Sequence, residues 1–145
     1  MTSAPQFCTF FLDDLYFGVE VQRVQEVIRY QEMTRVPLAS RMIGGLINLR
    51  GQIVTAIDLR QRLGISDCRC PKQPMNVIVR EGEGVVSLLV DQIGDVIAVD
   101  PSAFENPPET LRGPARNLVQ GTYKLDEQLL LVLNTDEAVQ VPSSD

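Results

Sequence analysis

The stretch GLINLRGQIVTAID, residues 45–58, decides how this chain folds, because a second stretch, GTYKLDEQLLLVLN at 121–134, lies over it without a gap. Gly45 falls on Gly121, Leu49 on Leu125 and Gln52 on Gln128. Each stretch is two apolar runs joined at a polar pair, the pattern of two strands and a tight turn. Working outward, YFGVEVQRVQEVI (16–28) lies ungapped over VVSLLVDQIGDVI (85–97). That overlay pairs Phe17 with Val86, Val21 with Val90, Val24 with Ile93, Glu26 with Asp95 and Val27-Ile28 with Val96-Ile97. The two overlays come in the same order, joined by residues 29–44 in the first copy and by a longer, proline-rich 98–120 in the second. One match between short apolar runs arises easily by accident. Two in order argue for an internal repeat of about 70 residues.

The rest of the chain carries the same signals. FCTFFL (7–12), LYFGVEV (15–21), MNVIVR (75–80), VVSLLV (85–90), DVIAV (95–99) and QLLLVLN (128–134) read as strands, and Asp13-Asp14 and EGEG (81–84) as hairpin turns between them. Helical signals are short: DLRQRLG (58–64) has an Asp start and a Gly stop, and VQRVQEVI (21–28) fits a turn of helix or a strand equally. The expected fold is all-β, two similar halves that are each a small curled sheet or barrel, too small to stand alone and packed across a shared apolar interface. The boundaries expected are about 15–70 and 75–135 within a single domain spanning 1–145, with the N-terminal strand and C-terminal segment able to cross over.

Composition narrows the function. Apolar residues make up 44% and charged residues 22% of the 145, as in ordinary globular domains, and no apolar run approaches the roughly 18 residues that span a membrane. The N-terminus MTSAPQFCTFFLDD lacks a basic n-region, so the expected compartment is the cytosol. Cys8, Cys68 and Cys70 are an odd set without the second ligand pair of a zinc site, and read as reduced thiols. Net charge is −6, split as nine Lys and Arg against seven Asp and Glu in residues 1–73, and four against twelve in 74–145. An acidic chain without basic or aromatic clustering is not built for nucleic acid; unlike charge on two halves suits protein partners.

The chain has no histidine, which removes Ser-His-Asp and Cys-His catalysis, histidine metal sites and phospho-accepting histidine. It has neither a GxxxxGK[ST] loop nor a GxGxxG after a strand. The remaining carboxylate pairs, Asp13-Asp14 and Glu81/Glu83, sit in turns, where acids are normally solvated. Binding is the leading class of function. A competing reading, a small ligand held between the two halves, lacks a convergent set of polar groups and a general base.

The repeat supplies one internal control. Where the first copy has Arg50-Gly51, the second has Asp126-Glu127, so folding a hairpin there does not by itself demand an arginine.

VQEVI (24–28), VP (36–37), GLINLRGQIV and IDLR within 45–60, LLVDQIGDVI (88–97), NPPE (106–109) and VQG (119–121) together resemble the CheW-like family of chemotaxis coupling proteins, from about Phe7 to Val139. The resemblance implies two five-stranded SH3-like β-barrel subdomains around a shared core, with no catalysis, cofactor or metal. It implies an adaptor that couples the cytoplasmic hairpins of chemoreceptors, the methyl-accepting chemotaxis proteins, to the regulatory domain of a CheA-type histidine kinase. Such a protein is cytoplasmic and reaches membrane-associated receptor arrays through protein contacts, without inserting into the bilayer.

Carried onto this chain, the family's acid and base fall on Glu26 and Arg50, a salt-bridged pair near the receptor groove. Val24, Val27 and Gly45 flank them, with Asn48 and Gly51 of the NLRG turn. The competing reading is structural: the pair clips two strands, and Val24, Val27 and Gly45 pack a core. Thr55-Ala56 and the region of Ser40 lack prolines usual in the family, which bears on which receptor or pathway is served.

Overall fold

The computed structural model describes residues 4–37, 41–65, 73–107, 109 and 113–140; Cys68, Cys70, Ser40 and Pro108 of the NPPE motif lie outside them. The first copy of the repeat gives β1 (Gln6–Leu12), β2 (Leu15–Glu20), a 3-10 turn (Val21–Arg23), β3 (Val24–Ile28), β4 (Ile43–Leu49), β5 (Gln52–Asp58) and α1 (Leu59–Leu63). The second gives β6 (Met75–Glu81), β7 (Gly84–Val90), β8 (Gln92–Ala98), a 3-10 turn (Pro101–Ala103), β9 (Phe104–Glu105), α2 (Pro114–Leu118), β10 (Val119–Lys124), β11 (Leu129–Leu133) and α3 (Thr135–Ala138). The ambiguous 21–28 resolves into a 3-10 turn followed by a strand.

The repeat is borne out to the level of register. Phe10 pairs with Phe17 across β1–β2, and Val79 with Val86, the overlaid residues, across β6–β7. Asp58 and Asn134, also overlaid, each cap the helix that follows by accepting a backbone N–H, from Gln61 and from Glu137. Gly64 closes α1 in the left-handed conformation its sequence position suggested.

The sheets, however, do not follow the copies. One has the order β8-β1-β2-β11-β10-β9 and the other β3-β6-β7-β5-β4. Each takes the first two strands of one copy and the later strands of the other, joined by parallel pairings of β2 with β11 and β5 with β7. One sheet is continuous over β3 to β7, and the other joins both ends of the chain, the N-terminal strands β1 and β2 pairing with β8 and β11. The expected five strands per barrel become six and five, the extra one being the two-residue β9.

This exchange explains the apolar runs. The inner strands β2, β6, β7 and β11 have runs of four successive buried residues, covered on both faces, so they read as near-continuous hydrophobic segments, whereas the edge strands β3, β8 and β9 do not. Leu131 and Leu133 of β11 join Phe10, Phe17, Ile57, Val77, Val79 and Leu88 in the shared core, while Leu130 and Val132 turn inward to Phe7, Tyr16 and Tyr123. The other sheet keeps its own interior of Ile47, Leu49, Val54, Ala56, Ile78 and Leu89. Charge also follows the sheets. Residues 24–90 carry nine Lys and Arg against six Asp and Glu; the rest of the chain carries four against thirteen.

Candidate functional site

The chain leaves the first sheet at Glu20 and enters the second through the 3-10 turn, whose exit is fixed when Arg80 donates to the carbonyls of Gln22 at 2.9 Å and Val24 at 3.3 Å. β3 then pairs with β6 with a register shift between Val24 and Glu26. Such a bulge bends the strand and re-aims the side chains after it. Val24 packs on the shared core, Val27 is exposed, and Glu26, half-buried, lies on the same face of the strand as Ile28, which packs on the barrel interior.

The NLRG turn stands at the opposite edge of the same sheet. Leu49 pairs with Gln52, leaving a two-residue loop in which Arg50 has φ +52° and Gly51 φ +88°. Positive φ at both positions defines a type I′ turn, which normally takes Asn-Gly. Asn48 Oδ1 accepts the Gly51 N–H at 2.8 Å and holds the loop. The second copy turns differently: Leu125 donates its backbone N–H to the Gln128 carbonyl at 2.8 Å, and neither Asp126 nor Glu127 has positive φ. Among the described residues, Asp13 and Arg50 are the non-glycine residues in the left-handed region.

Arg50 reaches from this turn to β3. Its Nη1 donates to Glu26 Oε2 at 2.7 Å and its Nη2 to Oε1 at 2.6 Å, a bidentate fork across the two edges of the sheet. The hydrogen bond from Arg50 holds the Glu26 carboxyl below the usual glutamate range, and the same bond raises the guanidinium. Arg50 remains 69% exposed and Glu26 22%. The carboxylate uses two of five guanidinium N–H donors, so the others are available to an incoming acceptor. Val27 beside it is 37% exposed, and Ile53, opposite Asn48 in the hairpin, is 63% exposed. The surface can bind an apolar ridge carrying an acceptor; it holds no nucleophile or general base.

Glu26, Val27, Asn48, Arg50 and Gly51 thus stand on two facing edges of one sheet. Gly45 and Val24 are internal. A Cβ on Gly45 would lie 2.9 Å from the Thr34 carbonyl oxygen and from Met33, because residues leaving β3 bridge back to β4 there, Thr34 and Leu46 exchanging N–H···O bonds of 2.8 Å. The overlaid Gly121 makes the same room for Phe104, where β9 pairs with β10. The recurrence of this glycine is thereby a packing requirement. Ile53 is the residue the sequence reading missed, taken there as part of a core run. Strict alternation from Val54 and Ala56, both buried, places it outside, and the overlaid Leu129 is exposed too, at 41%.

Away from this edge, Arg60 of α1 is 2% exposed and donates to Asp91 from Nε at 2.8 Å and from Nη2 at 2.5 Å, and also to Asp13. Asp13, expected to be solvated, is an ion-pair partner. Cys8 is partly covered, and burial pushes its thiol up, away from reactivity. Among the described residues no group of His, Cys, Asp and Glu could hold a metal ion, and no helix is long and apolar enough to cross a membrane.

The two sheets interleave the copies and present an exposed hairpin edge that combines the Glu26–Arg50 fork with the apolar Val27 and Ile53, the character of an interaction surface. A family model for the CheW-like domain matches residues 6–142. The chemotaxis protein CheW of Bacillus subtilis is 28% identical over 135 residues, 93% of this chain and 86% of that protein, and that of Klebsiella aerogenes 27% identical over 136, 94% and 82%. The crystal structure of the scaffolding protein TtCheW from Thermoanaerobacter tengcongensis superposes with a TM-score of 0.85 at 28% identity, covering 97% of this chain and 95% of that one. The chain belongs to the CheW-like domain family, a family of chemotaxis scaffold proteins and not of enzymes.

Proposed function

We propose that this protein is the adaptor that couples chemoreceptor cytoplasmic hairpins to a CheA-type histidine kinase within membrane-associated arrays, and that Glu26, Val27, Asn48, Arg50 and Gly51, together with Ile53, form its receptor-facing edge. Val24 and Gly45 support that edge from within. The observation that carries the reading is Arg50. It occupies a left-handed position that asparagine or glycine would fill more readily, in a hairpin that the second copy closes with a different turn and without an arginine, and its side chain stays 69% exposed. The exposed Val27 and Ile53 supply the apolar contact that a receptor helix would bury. Holding receptor and kinase on one scaffold raises their effective concentration, so weak contacts act together.

The test is pull-down of a receptor hairpin fragment and of the kinase regulatory domain by the wild type and Arg50→Glu. The variant is expected to melt within a few degrees of wild type and to lose the receptor fragment. Normal capture by the folded variant would sink the assignment of this edge.

A further inference from the structure

Among the described residues the interior of the five-stranded sheet contains a hydrogen-bonded pair of polar side chains whose overlaid positions in the other sheet are apolar. Asn76 and Ser87 are both 0% exposed, and Ser87 Oγ donates to Asn76 Oδ1 at 2.7 Å. In the repeat their places are taken by Phe7 and Gly18, which pack directly against each other. An apolar pair therefore satisfies the architecture, and burying an amide and a hydroxyl in this position is costly unless both are bonded.

The remaining partner shows what the pair holds. Asn76 Nδ2 donates to the backbone carbonyl of Arg29 at 3.2 Å, one residue beyond Ile28, the last residue of β3, which itself pairs with Asn76. From Arg29 the chain runs through Met33, packed on the barrel interior, to Thr34, where it bridges to Leu46. The amide grips the connector where the strand bearing Glu26 and Val27 gives way to the segment that ties it to the strand of Asn48. In the six-stranded sheet the corresponding strand, β8, is held farther from its end, where buried Thr9 donates to the Asp95 carbonyl at 2.5 Å, and the overlaid connector is fixed by the buried Val99 and its backbone N–H on the Pro5 carbonyl at 3.0 Å, with no side-chain amide on it among the described residues.

We propose that Asn76, oriented by Ser87, is a positioning residue for the partner-binding edge: its bond to the Arg29 carbonyl fixes where β3 ends and so the spacing of the Glu26 and Arg50 edges. This rests on the reading of that edge as the receptor contact. A hydrogen bond is directional where apolar packing is not, and here it falls on the connector at the end of β3, whereas the buried Thr9 of the six-stranded sheet bonds within β8 at Asp95.

The experiment uses the full chain with Asn76→Leu and Ser87→Ala, reading amide hydrogen exchange and the Kd for a receptor hairpin fragment well below the melting temperature. Asn76→Leu is expected to speed exchange of the Leu46 amide about tenfold, leave β10–β11 amides unchanged and weaken the Kd about tenfold, the effect of losing one buried bond. Ser87→Ala leaves the Arg29 bond in place but its donor unoriented, and shifts both readings the same way by less. Exchange that rises equally in both sheets, or a wild-type Kd in folded Asn76→Leu, overturns the proposal. If Asn76→Leu does not fold, Ser87→Ala decides alone: unchanged Leu46 exchange refutes it. A wild type that does not bind the fragment refutes the receptor reading, while the exchange at Leu46 still decides the role of Asn76.

Discussion

Arg50 is held by two opposed demands. The hairpin needs a residue at φ +52°, where an L side chain other than Asn or Gly is disfavoured, and the fork to Glu26 needs a guanidinium. Separating them gives a prediction. Arg50→Asn restores the Asn-Gly turn and should melt at or slightly above the wild-type temperature, since the backbone is relieved of strain on the order of 1 kcal/mol. The same change frees Glu26. Its carboxyl is depressed by Arg50, so the ion pair is intact above the ordinary glutamate range and is lost as pH falls through the lower folded value. Followed by NMR, the Glu26 titration should move up to the ordinary range in Arg50→Asn; a midpoint that stays low would show another group setting it. The oddity of Arg50 was legible from the repeat alone, because the second copy dispenses with it. Its left-handed backbone was not, since Arg-Gly is not the dipeptide that announces a type I′ turn, and Ile53 hid inside a run that looked uniformly buried.

At the scale of elements, the chain passes between the sheets twice, through the 3-10 turn after β2 and through Asp91 after β7. Each passage carries an ion pair to a helix: Arg23 with Asp136 of α3 at 2.9 Å, and Asp91 with Arg60 of α1. They differ in burial. Asp136 is 74% exposed, whereas Asp91 is 15% and Arg60 2% exposed. Removing Asp91 deprives the buried Arg60 guanidinium of one of its two carboxylates, with Asp13 still in place, while an exposed pair is screened by solvent. Asp91→Ala should therefore cost about 2 kcal/mol, less than a buried charge left with no partner, and lower the melting temperature by roughly 6 °C, whereas Asp136→Ala should stay within about 1 kcal/mol of wild type. Equal shifts in a thermal scan would refute the distinction. The sequence displayed the strands, the hairpin turns and α1, because alternation, turn residues and an Asp cap leave local marks. The bulges and β9 were not legible, and 21–28 read equally as a turn of helix or a strand, since these features are set by strands far away in sequence. Nor was the use of Asp13, an acid in a turn that reads as solvated until Arg60 is brought to it.

The whole molecule turns on which strands share a sheet. Two copies are visible in sequence, with room for the N-terminal strand and C-terminal segment to cross over, but self-overlay reports likeness and is blind to which strands pair. In the structure β1 and β2 complete a sheet with strands of the second copy, and β6 and β7 with strands of the first. Fragments 1–70 and 71–145 would thus each hold strands whose partners lie in the other piece, and each would leave the shared core of Phe10, Phe17, Ile57, Val77, Leu88 and Leu131 divided. A piece spanning 24–90 fares differently, because it contains a whole five-stranded sheet but exposes the face of Ile57, Val77, Val79, Leu88 and Val90 that the other sheet covers. Folding depends on covering that face, since apolar burial is the main favourable contribution and chains of about 70 residues have little to spare. Neither half is expected to show a cooperative thermal transition by circular dichroism, and equimolar mixing should restore the sheet signal and a single transition. The 24–90 piece should show strand content but self-associate in sedimentation. Two halves that each melt cooperatively as monomers would mean that the copies close on themselves, and the interleaved pairing would be wrong.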